Sequence, residues 1–144
     1  MRTTVGVIAL TVLSTVFATG QDHKQPNVNW ERIANSKHES PFACDRFALG
    51  PKERTRHFDE LGPTLRGLKT GVKELTNGYE FRFPTDPRTF ELLAEWVAGE
   101  RLCCPFFDIE MRVEREGGPL WLRLTGREGT KQFIQADAPD WIKQ

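Results

Sequence analysis

The strongest constraint on the fold is that every second residue is apolar in two runs, over residues 107–114 and 120–124. The alternation stops after Val113 and resumes after Gly117-Gly118-Pro119. A period of two is typical of a strand with one buried face, and glycines between two such runs indicate a hairpin. The predicted inward-facing set is Phe107, Ile109, Met111, Val113, Leu120, Leu122 and Leu124. The polar positions between them predict that the opposite face of this hairpin meets water.

An earlier hairpin is predicted around Asn77-Gly78. Strand-like runs flank this dipeptide, and both of its residues tolerate the positive φ that tight hairpin turns require. Counting back from a turn centred there pairs residues on one face that we expect to be buried. The expected pairs are Tyr79 with Thr76, Phe81 with Glu74, and Phe83 with Val72.

Helices are predicted before, between and after the two hairpins. The first begins near Pro51 and presents Phe58, Leu61, Leu65 and Leu68, but Gly62-Pro63 predicts a break or kink within it. Asp86-Pro87 caps and opens a second helix that runs to about Cys103, and a short helix spans about Thr130 to Ala136. This order predicts an α+β fold: helix, hairpin, helix, hairpin, helix, with an antiparallel sheet of about four strands and helices mainly on one face.

The first twenty residues have the parts of a secretory signal. Arg2 precedes an apolar run from Val5 to Phe17, which ends in Ala18-Thr19-Gly20. The run is shorter than a membrane span and contains hydroxyl side chains, so no stable membrane span is expected after cleavage. We therefore predict a signal peptide over residues 1–20, a polar flexible arm over 21–41 and one α+β domain over 42–144. The expected location is periplasmic or secreted.

Charge argues against nucleic acid as a partner. The whole chain has 20 basic and 20 acidic residues, and 38% of its residues are hydrophobic, as suits a folded globular protein. Phosphate binding needs a clustered positive surface, which this balance does not favour. The sequence identifies no protein partner.

The residues that could carry chemistry are the three cysteines and one acidic residue. On a helix from Asp86, Glu100 and Cys104 fall in one apolar arc, whose other members are Phe90, Leu93, Trp96, Val97 and Cys103. A carboxylate on an apolar face needs a partner, for which Arg46, His57 and Arg101 are candidates. The cysteine pair lies at the negative end of the helix dipole and near Glu100, so its thiol pKa values should be raised.

Three interpretations of the cysteines remain open. Cys103 and Cys104, with Cys44 and Glu100, could bind a soft metal or metalloid ion such as Hg(II), As(III), Cu(I) or Zn(II), which is the favoured hypothesis. The domain could instead be a non-enzymatic scaffold in which Cys44 forms a structural disulfide with Cys103 or Cys104. A thiol oxidoreductase is the third alternative. No catalytic motif is recognised, and the cofactor remains unidentified beyond a thiophilic ion.

The stretch from Glu100 to Glu110, with Leu120 to Gly126, resembles a group of small, largely uncharacterised bacterial proteins that share a Glu-x-x-Cys-Cys-Pro-Phe core. The resemblance covers about Cys44 to Ile134, so it leaves the signal-like segment and the arm outside. It implies a domain with these boundaries and gives weight to Glu100, Cys103 and Cys104, without naming a reaction.

Overall fold

The computed structural model of the protein describes residues 39–143. The predicted signal peptide and residues 21–38 of the predicted arm lie outside the described residues. Within 39–143, no helix has both the length and the apolar character needed to cross a lipid bilayer.

The predicted α+β fold is confirmed. Two antiparallel hairpins, β1 (Gly71–Leu75) with β2 (Gly78–Phe83) and β3 (Asp108–Val113) with β4 (Leu120–Thr125), join through an antiparallel β2–β4 pair. The strand order is therefore β1-β2-β4-β3, with the two apolar strands at the centre and β1 and β3 at the edges. The second hairpin turns over residues 115–117, where Glu116 and Gly117 have positive φ, so only Gly117 of the predicted turn Gly117-Gly118-Pro119 belongs to it.

The register predicted for the first hairpin is wrong. Leu75 pairs with Gly78, so the turn residues are Thr76 and Asn77, and Tyr79 faces Glu74 rather than Thr76. The shift moves each pair by two residues and therefore leaves the same side chains on the same face. Gly78 does not adopt positive φ; it is needed because a Cβ there would overlap the backbone carbonyl of Leu124 on β4.

Helices cover one face of this sheet. Helix α1 consists of α-helical Pro51–Thr55, a π-helical turn over Arg56–Leu61 and α-helical Gly62–Leu68. Helix α2 is Pro87–Cys103, α3 is Thr130–Asp137 and α4 is Pro139–Ile142, and a 3-10 turn over Arg46–Ala48 precedes α1. The cap predicted for α2 is confirmed, because the Asp86 side chain accepts a hydrogen bond from the Thr89 N–H.

Of the break or kink predicted at Gly62-Pro63, the break does not occur, because α1 widens instead. In an α-helix, the N–H of residue 63 would bond to the carbonyl of Asp59, and proline has no N–H. The wider turn ends with the Gly62 N–H bonded to the carbonyl of His57, five residues earlier. The chain therefore stays helical through this π-helical turn. His57 lies within the turn and is buried.

The core lies between the helices and the buried face of the sheet. Phe81, Phe83, Leu120 and Leu122 are essentially inaccessible to solvent. The helices contribute Leu61, Leu65, Leu92, Leu93, Trp96, Ile134 and Trp141 to the same cluster. A second cluster, made of Cys103, Cys104 and Phe106, lies at the end of α2. The adjacent cysteines therefore pack in a hydrophobic cluster distinct from the main core.

The opposite face of the sheet is polar, as predicted, but one of its carboxylates is buried. Glu80 is only 2% exposed. Arg123 donates to it at 2.9 Å, and Arg112 and Lys73 lie 3.6 and 3.9 Å from its carboxylate oxygens. These cations compensate the charge that burial would otherwise destabilise.

Candidate metal centre

The C-terminal turn of α2 aligns Glu100 with Cys103. Side chains three residues apart lie on the same helix face, and both of these are buried. The Sγ of Cys103 lies 3.7 Å from Glu100 Oε2 and donates weakly to the Glu100 carbonyl. The inward-facing arc predicted for this helix is found at Leu93, Trp96, Glu100, Cys103 and Cys104, whereas Phe90 at its margin is 44% exposed.

His57 is the partner of Glu100. Its Nε2 lies 2.9 Å from Glu100 Oε2 and 3.8 Å from Cys103 Sγ. The imidazole stacks on Trp96 and meets the edge of Phe58, so aromatic packing fixes its orientation. Arg46, which was also predicted as a candidate partner of Glu100, instead lies over the ring of Phe58.

The imidazole can approach α2 because residue 99 is glycine. A Cβ at Gly99 would lie 2.6 Å from His57 Nδ1. Among the described residues, this Nδ1 has no hydrogen-bond partner. The Nε2 edge of the ring therefore carries all of its polar contacts, and they are directed toward Glu100 and Cys103.

One of the three cysteines is free and two are bonded. Cys44 and Cys104 form a disulfide, which decides between the two predicted bridges, and Cys103 is a buried free thiol. In this form Cys44 and Cys104 provide no thiolates, so of the four predicted ligands only Cys103 and Glu100 retain ionisable donors. The Sγ atoms of Cys103 and Cys104 are 3.7 Å apart.

The pKa of the Cys103 thiol is raised, as predicted. The main cause is burial, which desolvates the thiolate, and the Glu100 carboxylate adds to it by charge repulsion and hydrogen bonding. A thiol with a raised pKa is a poor nucleophile near neutral pH. A bound cation would reverse this by replacing the thiol proton.

Two groups of potential ligand atoms meet at this point. Those of His57, Glu100 and Cys103 all lie within 4.8 Å of one another, and so do those of Cys44, Glu100 and Cys104. A tetrahedral ion with bonds of about 2.0 to 2.3 Å separates its ligand atoms by roughly 3.3 to 3.8 Å. The distances from Cys103 Sγ already match this range, and the His57–Glu100 contact would lengthen slightly.

A cavity of about 640 Å³ adjoins these residues. Cys44, His57 and Glu100 line it together with aromatic side chains that include Trp96, Phe133 and Trp141. The candidate centre is therefore buried but lies beside space that a ligand could reach.

Sequence reasoning identified His57 only as an alternative partner of Glu100, and it did not include His57 among the ligands. The helical stripe placed it beside Phe58 at the flank of α1, where an ordinary α-helix would leave it partly exposed. The available signal was Pro63, which predicts an irregular turn in the preceding part of the helix, where His57 lies.

Comparison of the chain with family models, curated proteins and solved structures finds no match.

Proposed function

We propose that this protein binds a thiophilic metal ion through Cys103, His57 and Glu100. The observation that carries the proposal is the convergence of one sulfur, one imidazole nitrogen and one carboxylate oxygen, all on buried residues and within 4.8 Å of one another. Sulfur and imidazole favour soft and borderline ions such as Hg(II) or Zn(II) over Mg(II) or Ca(II). On binding, the ion replaces the Cys103 proton and compensates the buried carboxylate.

The direction of the imidazole favours ion binding over nucleophilic catalysis. A Cys-His-acid triad uses both ring nitrogens, one for the thiol and one for the acid. Here Nε2 faces both Cys103 and Glu100, while Nδ1 lies against Gly99. Three donors around a common point suit ligation, and the raised pKa of Cys103 argues against an attacking thiolate.

The specific competitor is the scaffold function, which the Cys44–Cys104 disulfide favours. In that case the His57–Glu100 contact is only a buried polar pair, and Cys103 is an inert core residue. The two functions differ in one respect: only the first requires a specific ion to bind at these three side chains.

Titration of the full chain with Zn(II), Hg(II) and Mg(II) tests the proposal. The disulfide form is first stripped with a chelator, and affinity is measured by competition with a chromophoric chelator. We expect one Zn(II) or Hg(II) per chain and no Mg(II). Cys103→Ser and Glu100→Gln should each weaken Zn(II) binding at least ~10-fold, the lower end of the effect of losing a metal contact.

Glu91→Gln is the matched control, because Glu91 lies on the same helix with its side chain largely exposed. It should bind Zn(II) like the wild type. Equal losses in Glu91→Gln and Glu100→Gln, or no binding by the wild type, would leave the scaffold function as the better account.

We also infer export to an oxidising compartment. The signal-like sequence of residues 1–20 supports it, and a disulfide is typical of such compartments. Expression in a bacterial host followed by mass spectrometry of the periplasmic fraction tests this inference. The expected product begins at Gln21, and retention of residues 1–20 on cytoplasmic protein would contradict it.

A further inference from the structure

Glu100 belongs to both groups of ligand atoms at the centre. One group contains His57 and Cys103, and the other contains the two sulfurs that form the disulfide. Two sulfurs bound to one ion by bonds of about 2.3 Å must lie within about 4.6 Å of each other. The sulfurs of Cys103 and Cys104 meet this condition, at 3.7 Å. Only the bond between Cys44 and Cys104 prevents the second group from acting as ligands.

The segment that carries Cys44 is held in place by contacts other than the disulfide. The backbone N–H of Asp45 donates to the carbonyl of Cys103 at 2.7 Å. Phe42 packs against the rings of Phe106 and Phe133, with centroids 5.3 and 6.3 Å away. Reduction of the disulfide would therefore leave the Cys44 thiol next to that of Cys104, which lies 3.7 Å from the Cys103 sulfur.

Arg127 provides a further anchor for this segment. Its guanidinium lies 4.3 Å from the ring centroid of Phe42 and also donates to the carbonyl of Ser40. The aromatic ring attracts a cation in this position, and the attraction is stronger where the cation is desolvated. The anchors flank Cys44 on both sides, so contacts other than the covalent bond also hold its backbone in position.

We propose that reduction of the Cys44–Cys104 disulfide creates an all-sulfur site for a trivalent metalloid, with Cys44, Cys103 and Cys104 as ligands. The inference extends the proposed function, from which it takes Cys103 as a ligand. In the oxidised protein, the centre offers one sulfur; in the reduced protein it offers three. The oxidation state of the disulfide thus decides which ion the centre accepts.

A dithiol can reduce the Cys44–Cys104 disulfide. The dithiol transfers two electrons and two protons to the disulfide, and becomes a disulfide itself. Arsenous acid, As(OH)₃, then exchanges its three hydroxyl groups for three cysteine sulfurs and releases three molecules of water. Trivalent arsenic forms a pyramid with three ligands, so it needs no contribution from His57 or Glu100.

The test measures arsenite binding to the full chain before and after reduction with a phosphine, which does not compete as a thiol. In native mass spectra, the reduced wild type should gain one arsenic and lose three hydrogens. The oxidised wild type should take up less than about one tenth as much, because it offers a single thiol. Near-ultraviolet circular dichroism records whether the reduced protein is folded.

Cys103→Ser separates three-sulfur binding from two-sulfur binding. This variant keeps the disulfide, so its folding can be checked before reduction. After reduction it should bind arsenite at least ~10-fold more weakly than the wild type, because one ligand is lost. Equal binding by Cys103→Ser overturns the three-sulfur site. Failure of the folded, reduced wild type to bind arsenite overturns it as well.

Unfolding on reduction would also overturn the inference, because the anchors around Cys44 would then be insufficient. Zn(II) binding by the oxidised protein distinguishes this failure from failure of the proposed function. Zn(II) uptake without arsenite uptake removes only the redox-dependent site. Arsenite uptake by the reduced protein without Zn(II) uptake by the oxidised protein removes the His57-Glu100-Cys103 centre and leaves the sulfur site.

Discussion

At the scale of single residues, Gly99 determines how closely His57 can approach α2. A glycine within a helix costs about 1 kcal/mol relative to alanine, so helix propensity alone favours alanine here. The imidazole occupies the space that a Cβ would need, with Nδ1 at 2.6 Å from the Cβ position. The glycine is therefore explained by the neighbouring ring rather than by the helix itself.

Gly99→Ala should reduce the Zn(II) affinity of the disulfide form at least ~10-fold, because it displaces the ring that supplies one ligand. Gly67→Ala is the matched control, since no atom lies within 4 Å of a Cβ added there. Competition with a chromophoric chelator compares the two variants. Equal affinities would contradict the position assigned to His57.

The buried thiol of Cys103 should make stability depend on alkaline pH. Its pKa in the folded protein is raised, mainly by burial and then by Glu100. Above the ordinary thiol pKa of about 8.5, the unfolded chain loses this proton while the folded protein keeps it. The folded protein then binds more protons than the unfolded chain, so stability is lost as pH rises.

Urea unfolding of the wild type and Cys103→Ala, in the presence of a chelator, measures this effect. Between about pH 9 and 10.5, the free energy of unfolding should fall more steeply in the wild type, by up to about 1.4 kcal/mol per pH unit. Parallel pH profiles would show that the thiol titrates in the folded protein as it does in the unfolded chain.

At the scale of elements, the sequence predicted correctly which segments form the two hairpins and the helices α1 to α3. It did not predict the register of the first hairpin or the widened turn in α1. Alternation and capping residues are local signals, and both hairpins and α2 were found where these signals placed them. In the first hairpin, Gly78 is needed because β2 passes close to Leu124 on β4, 46 positions later in the chain. The residues around Gly78 carry no signal of this distant contact. Likewise, Pro63 indicated an interruption, but whether a helix breaks or widens depends on what its side chains bury.

The close approach of β2 and β4 gives Gly78 a steric role that can be tested. Gly78→Ala should destabilise the protein by at least about 2 kcal/mol, because its Cβ would overlap backbone atoms that cannot rotate away. Gly71→Ala is the control: its Cβ would make an ordinary 3.6 Å contact with Arg82. Urea unfolding should show Gly71→Ala unchanged or up to about 1 kcal/mol more stable. Equal stabilities of the two variants would rule out the close approach.

At the scale of the whole molecule, the candidate centre combines three distant parts of the chain. Glu100 and Cys103 were predictable because one helix carries both. His57 and Cys44 come from segments 43 and 60 residues away from their partners Glu100 and Cys104. Their positions follow from packing against the sheet and α2, which composition and periodicity do not encode. The sequence therefore predicted that Glu100 and Cys103 share an inward-facing side of one helix, and it left the choice of bridge open.

The disulfide should contribute substantially to global stability, because it closes a loop with a sequence separation of 60. The chain-entropy model gives about 4 kcal/mol for a loop of this length. Urea unfolding with and without a phosphine reductant should show a difference of this size in the wild type and in Cys103→Ala. The difference should disappear in Cys44→Ala, which cannot form the bridge; a difference that persists would point to another effect of the reductant.

The strand order has a consequence for contacts between molecules. The two hairpins join through their apolar strands, so the unpaired backbone groups of the sheet belong to β1 and β3, which carry Lys73, Glu74, Asp108, Glu110 and Arg112. Charged side chains on such margins oppose the addition of a foreign strand. The strand order that places the apolar strands at the centre of the sheet thus also opposes its growth into an intermolecular aggregate.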